Sequence, residues 1–135
     1  MNKEDKELLL RDLSARLPYG VKVRCDFGLD GEITEISRTK NNLYYCKYLD
    51  CKEGYCYIES LKPYLFPLSS MTEEQKREYD KIIYHSIELH HREYSDIVEI
   101  DLFDDLQDFY CKNHLDYRGL IEKGIAIDAT GLNIY

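Results

Sequence analysis

Residues 62–75 read KPYLFPLSSMTEEQ, and they separate a half of the chain with strand-like patterning from a half with helical patterning. Pro63 and Pro67 fix their own φ, lack an N–H and disfavour helix in the residue before them. This stretch is therefore predicted to be extended. Its apolar residues predict that it packs across the end of the β-rich part and holds the two halves together.

A helix is predicted to begin directly after this stretch. Thr72 is a suitable N-cap residue, and Gln75 stands at the capping-box position three residues later. Glu73 and Glu74 lie in the first turn, where a carboxylate interacts favourably with the helix dipole. The helix is predicted to continue to about Tyr94, because an apolar stripe extends that far. The stripe consists of Tyr79, Ile82, Ile83, Ser86, Ile87, His90 and Tyr94.

The start of the chain has the pattern of a helix followed by a strand. Residues 3–17 place leucines at helical spacing, and a Pro-Tyr-Gly sequence at 18–20 ends that segment. Apolar and polar residues then alternate over residues 21–27, which predicts a half-buried strand. Asp30-Gly31 is a favoured hairpin pair, so the first turn is predicted there.

Three further β-rich runs follow at residues 32–37, 43–49 and 55–61, and turns are predicted over 39–42 and 50–54. Four short strands joined by hairpin turns predict a small SH3-like barrel. An open antiparallel sheet backed by the first helix is the alternative.

The end of the chain is predicted to add one short helix and a tail. Val98 and Ile100 indicate a short extended link. The next helix, predicted to end near His114, is defined by Leu102, Leu106, Phe109 and Tyr110. The apolar run at 125–127 predicts a short added strand or a segment folded over the helices.

The predicted fold class is therefore α+β. Residues 1–68 are expected to form the N-terminal helix and the small barrel or sheet. Residues 69–135 are expected to form an acidic helical half packed on it, either as a second unit or within one domain.

Charge is distributed unevenly over the 135 residues, whose formal net charge is −8. Residues 1–68 carry 11 basic and 11 acidic side chains, whereas residues 69–135 carry 7 basic and 15 acidic ones. Such a field repels a phosphate backbone, which disfavours nucleic acid as a partner. No apolar run approaches the ~20 residues of a membrane helix, and the charged N-terminus lacks signal-peptide character, so we expect a cytoplasmic protein without membrane association.

The five cysteines are an odd number without an export signal, so reduced thiols are expected. Cys46, Cys51 and Cys56 are separated by four residues each, and Cys25 lies on a predicted neighbouring strand. Four thiolates would suit zinc, but its sites usually have shorter gaps within tight turns. A structural role in the core is therefore favoured.

Histidines and one glutamate crowd the long predicted helix at His85, Glu88, His90 and His91. Glu88 and His91 have the Glu-x-x-His spacing of di-iron bundles, but such sites need further carboxylates from other long helices. Ser86 follows His85, so the zinc-protease pattern is absent. No metal site and no cofactor are predicted.

Six of the 13 tyrosines cluster in the last two predicted strands and the junction. They are Tyr44, Tyr45, Tyr48, Tyr55, Tyr57 and Tyr64. Exposed tyrosines stack on bases or bind peptides, but tyrosine also packs well within strands, and packing is favoured. Nucleic-acid binding through these tyrosines is kept as a third hypothesis.

The longest charge run lies between Arg92 and Lys112, which enclose seven acidic residues and no basic one. Four of them recur at i, i+3, i+4 and i+7, which places them on one helix face. They are Asp101, Asp104, Asp105 and Asp108. This acidic face is either a solvated surface or a surface that docks onto a basic protein partner, in the manner of nucleic-acid phosphates.

Three segments also carry a family resemblance. They read DLSARLPYGVKV at 12–23, PYLFPLSSMTEEQ at 63–75 and HLDYRGLIEKGIAID at 114–128. Together they resemble a family of uncharacterised proteins that are encoded by gut bacteria of the Bacteroides type and by their phages and mobile elements. The resemblance implies no activity, cofactor or catalytic residue.

The sequence shows no catalytic, metal or nucleotide motif. Together with the uneven charge, this absence predicts a small non-enzymatic protein that acts through protein–protein contact, with the acidic face as its contact surface. The resemblance implies a phage or mobile-element origin for it. The alternative is a metal-binding domain or enzyme that uses the cysteines or the histidine helix. The pattern does not predict the oligomeric state.

Overall fold

A computed structural model describes residues 1–40, 44–48, 55–90 and 95–135. The fold is α+β, as predicted. In chain order the helices and strands are α1 (Lys3–Arg16), β1 (Lys22–Cys25), β2 (Asp30–Arg38), β3 (Tyr44–Tyr48), β4 (Tyr55–Tyr57), β5 (Leu61–Leu65), α2 (Glu73–His90), α3 (Ser95–Lys112) and β6 (Ile127–Asp128). Among the described residues, none of the helices has both the length and the apolar character that crossing a bilayer requires.

The strands form an open mixed sheet in the order β4-β3-β2-β1-β5-β6. The SH3-like barrel is not found in the described part of the chain, since β4 and β6 form opposite edges and do not pair with each other. The open-sheet alternative holds, except that β6 runs parallel to β5 and makes the sheet mixed.

One face of the sheet is covered by α1. Leu9 and Leu13 of α1 are fully buried. They belong to the same core as Val23, Ile33 and Leu61 of the sheet. Burying an apolar stripe of this kind against a sheet is the main favourable contribution to folding.

The first hairpin turn lies three residues earlier than predicted. Gly28 adopts a φ of 77° and donates its N–H to the carbonyl of Cys25 at 2.9 Å. Asp30 and Gly31 instead pair with β1, with Gly31 opposite Val23. The glycine that the tight turn requires is therefore residue 28, and this choice sets the register that buries Val23 and Ile33. Phe27, the last apolar residue of the predicted strand, is 85% exposed at the turn.

The junction stretch contains β5, which pairs with β1 and places Pro63 opposite Val23. It is extended as predicted, but it lies inside the sheet between β1 and β6 instead of across its end. Directly after it, the Phe66 N–H donates to the carbonyl of His114, and the Asp116 N–H donates to the carbonyl of Phe66, both at 2.8 Å. The division into residues 1–68 and 69–135 stays a prediction.

The helix start at Thr72 is confirmed. The Thr72 N–H donates to Gln75 Oε1 at 2.9 Å, and the Gln75 N–H donates to Thr72 Oγ1 at 3.1 Å. This reciprocal pair is a capping box, which satisfies two N–H groups that a helix start leaves without partners. The predicted last turn of this helix, residues 91–94, lies outside the described residues.

The second long helix is longer than predicted. Val98 and Ile100, predicted to form an extended link, lie within α3. The reason is that Val98, Leu102, Leu106 and Phe109 continue one apolar stripe, which outweighs the β preference of valine and isoleucine.

The two long helices form an antiparallel hairpin. Gln75 at the start of α2 bonds to Asn113 after the end of α3 at 3.3 Å. Glu78 and Lys112 form an ion pair at 2.5 Å. The hairpin is therefore attached to the sheet at the end where α2 begins and α3 ends.

Candidate functional site

The predicted acidic face lies on α3. Asp104, Asp105 and Asp108 are exposed. Asp101 belongs to the same helix, and its side chain lies outside those that the structure describes. The helix carries six acidic residues and one basic one, Lys112. The face therefore has a strongly negative potential.

The carboxylates of this face differ in their surroundings. Asp108 accepts a hydrogen bond from the Tyr19 hydroxyl at 2.7 Å, and this bond raises the pKa of Tyr19 to about 12. Asp104 and Asp105 have no ion pair or side-chain hydrogen bond with the described residues. Asp108 thus helps to hold α3 against the end of α1, while the other two are available to a partner.

A buried ion pair that sequence patterns did not single out lies in the last turns of α1. Arg16 and Asp12 are both fully buried. Arg16 Nε donates to Asp12 Oδ2 at 2.8 Å, and Nη2 donates to the carbonyl of Leu115 at 2.6 Å. Burial raises the pKa of Asp12, and the charge of Arg16 opposes that shift. The i, i+4 spacing of an acid and a base was the available sequence signal, but such pairs usually lie on the surface.

Arg118 adds a second cation to this cluster, with its Nε 3.4 Å from Asp12 Oδ1. Both guanidinium groups lie over the ring of Tyr117, with Arg16 Cζ 5.4 Å and Arg118 Cζ 4.9 Å from the ring centroid. A cation placed above the face of an aromatic ring is attracted to the ring's negative face. The cluster joins α1 to the segment after α3, and its geometry is structural, because Arg16 and Asp12 are closed to solvent.

His114 and Tyr135 form a second contact, which connects the C-terminal residue to the segment after α3 and to the sheet. Their rings stack with centroids 3.6 Å apart. The Tyr135 hydroxyl accepts from the Lys22 N–H at 2.8 Å and donates to the carbonyl of Tyr64 at 2.9 Å. Burial, together with the charges of Arg16 and Lys22, lowers the pKa of His114 to about 4.

The Tyr135 hydroxyl completes the pairing between β1 and β5. The last pair in register is Val23 with Pro63, and proline has no N–H for the ladder. Lys22 and Tyr64 are the next positions, and the hydroxyl bridges their backbone groups. Two backbone groups that would otherwise lack partners are thereby satisfied.

A cleft of about 350 Å³ opens between the sheet and the C-terminal segment. It is lined by Lys22, Asp30, Gly31, Glu32, Tyr64, Asn133 and Ile134. Arg24 Nε and the Tyr64 hydroxyl both donate to Asp30 Oδ1, at 3.0 and 2.6 Å, which lowers the pKa of Asp30. Lys22 Nζ donates to the carbonyl of Ile134 at 2.6 Å. Most polar groups of the cleft are thus hydrogen-bonded to other protein groups. These bonds connect the sheet to the C-terminal segment.

The candidate metal ligands do not come together in the described part of the chain. No three His, Cys, Asp or Glu side chains among the described residues are grouped so that they could hold a metal ion. Cys25 is buried and Cys56 is half-buried. Cys56 pairs in register with Cys46. Cys51 and His91 lie outside the described residues, as do the side chains of Cys46 and His90.

The predicted tyrosine surface is only partly described. Tyr64 is fully buried, which agrees with a packing role. Tyr57 is 53% exposed and pairs in register with Tyr45. The side chains of Tyr44, Tyr45, Tyr48 and Tyr55 lie outside the described ones.

The three segments that carry the family resemblance lie against one another. Arg16 belongs to the first segment and contacts Leu115 of the third. Phe66 of the second segment bonds to His114 and Asp116 of the third. Contacts within the fold therefore connect the three segments.

Comparisons with known proteins add no relative to this picture. No protein-family model matches the chain, and no curated protein or solved structure gives a significant match. The family suggested by the three segments therefore stays a prediction.

The low pKa of His114 predicts that stability falls in mild acid. An unfolded histidine takes up its proton near pH 6.5, whereas folded His114 does so only near pH 4. The unfolded state therefore binds more protons between these values, and up to about 3 kcal/mol of stability is lost as pH falls from 6.5 to 4. Urea unfolding at several pH values measures this loss.

His114→Asn is the matched variant, since asparagine tolerates the φ of 57° at this position. It is expected to be less stable at pH 7 and to depend less on pH. Other groups titrate alike in both proteins, so the difference between the two profiles isolates His114. Parallel profiles would contradict the assignment.

Proposed function

We propose that this protein is a non-enzymatic protein-interaction module whose contact surface is the acidic face of α3. The observation that carries the proposal is that Asp104 and Asp105 are exposed and have no cationic partner among the described residues. Carboxylates that help to hold a fold together are usually paired or hydrogen-bonded, as Asp12 and Asp108 are here. Asp104 and Asp105 have no such role within the described residues.

The partner is a protein with a basic surface. Complementary potentials accelerate association and select the partner, more than they add affinity. A negative face on a chain of net charge −8 repels phosphate backbones by the same rule that attracts basic proteins, which disfavours nucleic acid as the partner. The partner's lysine and arginine side chains would form charge-assisted hydrogen bonds with these carboxylates.

The resemblance of the three segments supports a source among gut bacteria of the Bacteroides type, their phages and their mobile elements. A small acidic module from such an element acts by binding a protein of its host or of the element itself. Extracts of Bacteroides-type cells are therefore the first place to look for the partner.

Charge reversal tests the proposal. Immobilised wild-type protein and the Asp104→Lys/Asp105→Lys variant are compared for the proteins they retain from such an extract. The control is Glu7→Lys/Glu122→Lys, which changes the net charge equally at two exposed positions away from α3. We expect the α3 variant to lose at least one specific basic partner that the control keeps, and the loss to be greater when positions 101 and 108 are also reversed.

Salt provides a second measurement on the same complex. Because the contact is electrostatic, raising ionic strength from about 0.05 to 0.5 M is expected to weaken it steeply. Equal retention by the α3 variant and the control, at every salt concentration, would disprove the proposal.

A further inference from the structure

Residues 130–135, which we call the strap, bury little surface against the rest of the fold. Residues 130–133 are exposed, and the Leu132 N–H bonds to the nearby carbonyl of Ala129 at 3.1 Å. The hydrogen bonds to the sheet and the ring contact with His114 are made by Ile134 and Tyr135. Segments with few buried apolar contacts open at a lower free energy than the whole fold. The strap can therefore open while the sheet and helices stay folded.

Tyr135 is the residue that holds the strap closed. Its ring covers one face of His114 and lies 6.0 Å from the ring of Phe66. Its hydroxyl bridges the backbone groups of Lys22 and Tyr64. The same side chain thus attaches the strap to the sheet and shields the ring of His114.

His114 is placed so that its ring suits the neutral form. Its backbone is fixed, because its carbonyl accepts from the Phe66 N–H at 2.8 Å and its N–H donates to the carbonyl of Cys111 at 3.2 Å. Ring Nδ1 is buried and has no hydrogen-bond partner among the described residues. A protonated imidazole donates from both nitrogens, so protonation in this position would bury a charged N–H without an acceptor.

The charges around His114 oppose its protonation as well. Burial lowers the pKa of His114, and the cations Arg16 and Lys22 lower it further, to about 4. The Asp12 carboxylate is already paired with Arg16 and does not cancel this effect. The titratable and charged groups of the surrounding elements are Arg16 and Asp12 of α1, Lys22 of β1, Glu32 of β2, Cys111 of α3, Asp116 after α3, and Tyr135.

We propose that the strap is an acid-operated switch, in which protonation of His114 releases Tyr135 and residues 130–135 open while the rest of the described fold stays intact. Because the backbone of His114 is fixed, its ring reaches water by the departure of Tyr135. Water then supplies acceptors to both ring nitrogens. Protonation of a histidine is a common means of switching a contact in acid.

Opening of the strap changes the cleft beside it. Asn133 and Ile134 line the cleft, so their departure removes one of its walls. The ammonium group of Lys22 loses its bond to the carbonyl of Ile134 and becomes accessible. The surface that acid uncovers lies on the sheet, so this switch does not depend on the acidic face of α3.

Acid favours the open state because that state binds the additional proton. Exposed His114 takes up a proton near pH 6.5, whereas in the closed state it does so near pH 4. The ratio of open to closed protein is therefore expected to rise on the order of 100-fold as pH falls from 7 to 4. At pH 7 and above the strap stays closed.

Solution NMR of the full chain, labelled with ¹⁵N and ¹³C, tests the switch between pH 7 and 4. We expect the ring signals of His114 and the amide signals of Lys22 and of residues 130–135 to change with one common midpoint between pH 4 and 6.5. The amide signals of Ile33 and Leu61, which lie in the core of the sheet, are expected to stay constant over this range.

Three variants separate the parts of the switch. His114→Asn removes the titrating group, so its strap signals should not depend on pH. Tyr135→Phe keeps the ring over His114 but removes both hydrogen bonds of the hydroxyl, so the midpoint should rise by about one pH unit. Tyr84→Phe, at a 63% exposed position of α2, is the matched control and should leave the midpoint unchanged.

Strap signals that stay constant down to pH 4 would overturn the proposal, and so would strap changes that persist in His114→Asn. Changes at Ile33 and Leu61 with the same midpoint would also overturn it, because they would mean that the whole chain unfolds at once. Equal midpoints for Tyr135→Phe and the wild-type protein would show that Tyr135 does not hold the strap closed.

Discussion

Asp12→Ala is expected to destabilise the protein by about 3–5 kcal/mol, because it leaves the guanidinium of Arg16 buried without its counter-charge. Both side chains are fully buried, and Arg16 also holds the carbonyl of Leu115, 99 residues further along the chain. The free energy of unfolding in urea measures the effect. Glu7→Ala, at an exposed position of the same helix, should change it by less than about 0.5 kcal/mol.

A double variant separates the ion pair from simple packing. Asp12→Leu/Arg16→Met removes both charges and fills a similar volume, so it should be less destabilised than Asp12→Ala. Some loss remains, because the carbonyl of Leu115 no longer has the donor that Arg16 supplies. A double variant less stable than the single one would show that the charges themselves hold this part of the fold.

Phe109→Ala is expected to cost about 3–5 kcal/mol, the range for truncating a buried aromatic side chain. Phe109 is 2% exposed and packs on Tyr79 and Tyr110, with ring centroids 6.1 and 5.6 Å away. It joins the base of the hairpin to the rest of the fold. Thermal unfolding should therefore show a large decrease in the melting temperature.

Phe103→Ala is the matched control for Phe109→Ala. It removes the same ring from the same helix, but at a position that is 65% exposed. Its effect on the free energy of unfolding should stay below about 0.5 kcal/mol. Similar losses for the two variants would mean that the hairpin is packed differently from the structure described above.

Features set by neighbouring residues were predictable from the sequence. The capping box of Thr72 and Gln75 depends on two residues within one turn, and both hydrogen bonds are present. Helix α1, the α+β class and the extended junction also follow from local patterns. Local signals of this kind are strong because few alternatives satisfy the same backbone groups.

Features for which the sequence allows two arrangements, such as the position of a turn, were predicted less well. Asp30-Gly31 is a good turn sequence, yet the turn uses Gly28, because only that register buries Val23 and Ile33 together. The strands that the structure describes form an open sheet in place of the predicted barrel. Strand β6 lies parallel beside β5, and that pairing involves residues more than 60 positions apart.

The candidate surface was predictable in part. Helical spacing placed the four aspartates on one face, and α3 is indeed helical through all of them. The role of Asp108 was not predictable, because its partner Tyr19 lies 89 residues away. Ile87, which belongs to the predicted apolar stripe of α2, is 52% exposed. The sequence did not show this exposure, since an apolar stripe shows which side chains favour burial and not whether a neighbour buries them.

Hydrogen–deuterium exchange, measured on the protein alone and on its complex with the captured basic partner, shows whether α3 is the contact surface. We expect slower exchange in the peptides that cover residues 101–108 of α3 and no change in β1, β2 and β5. Slower exchange confined to the sheet or to the turn around Phe27, with α3 unchanged, would contradict it.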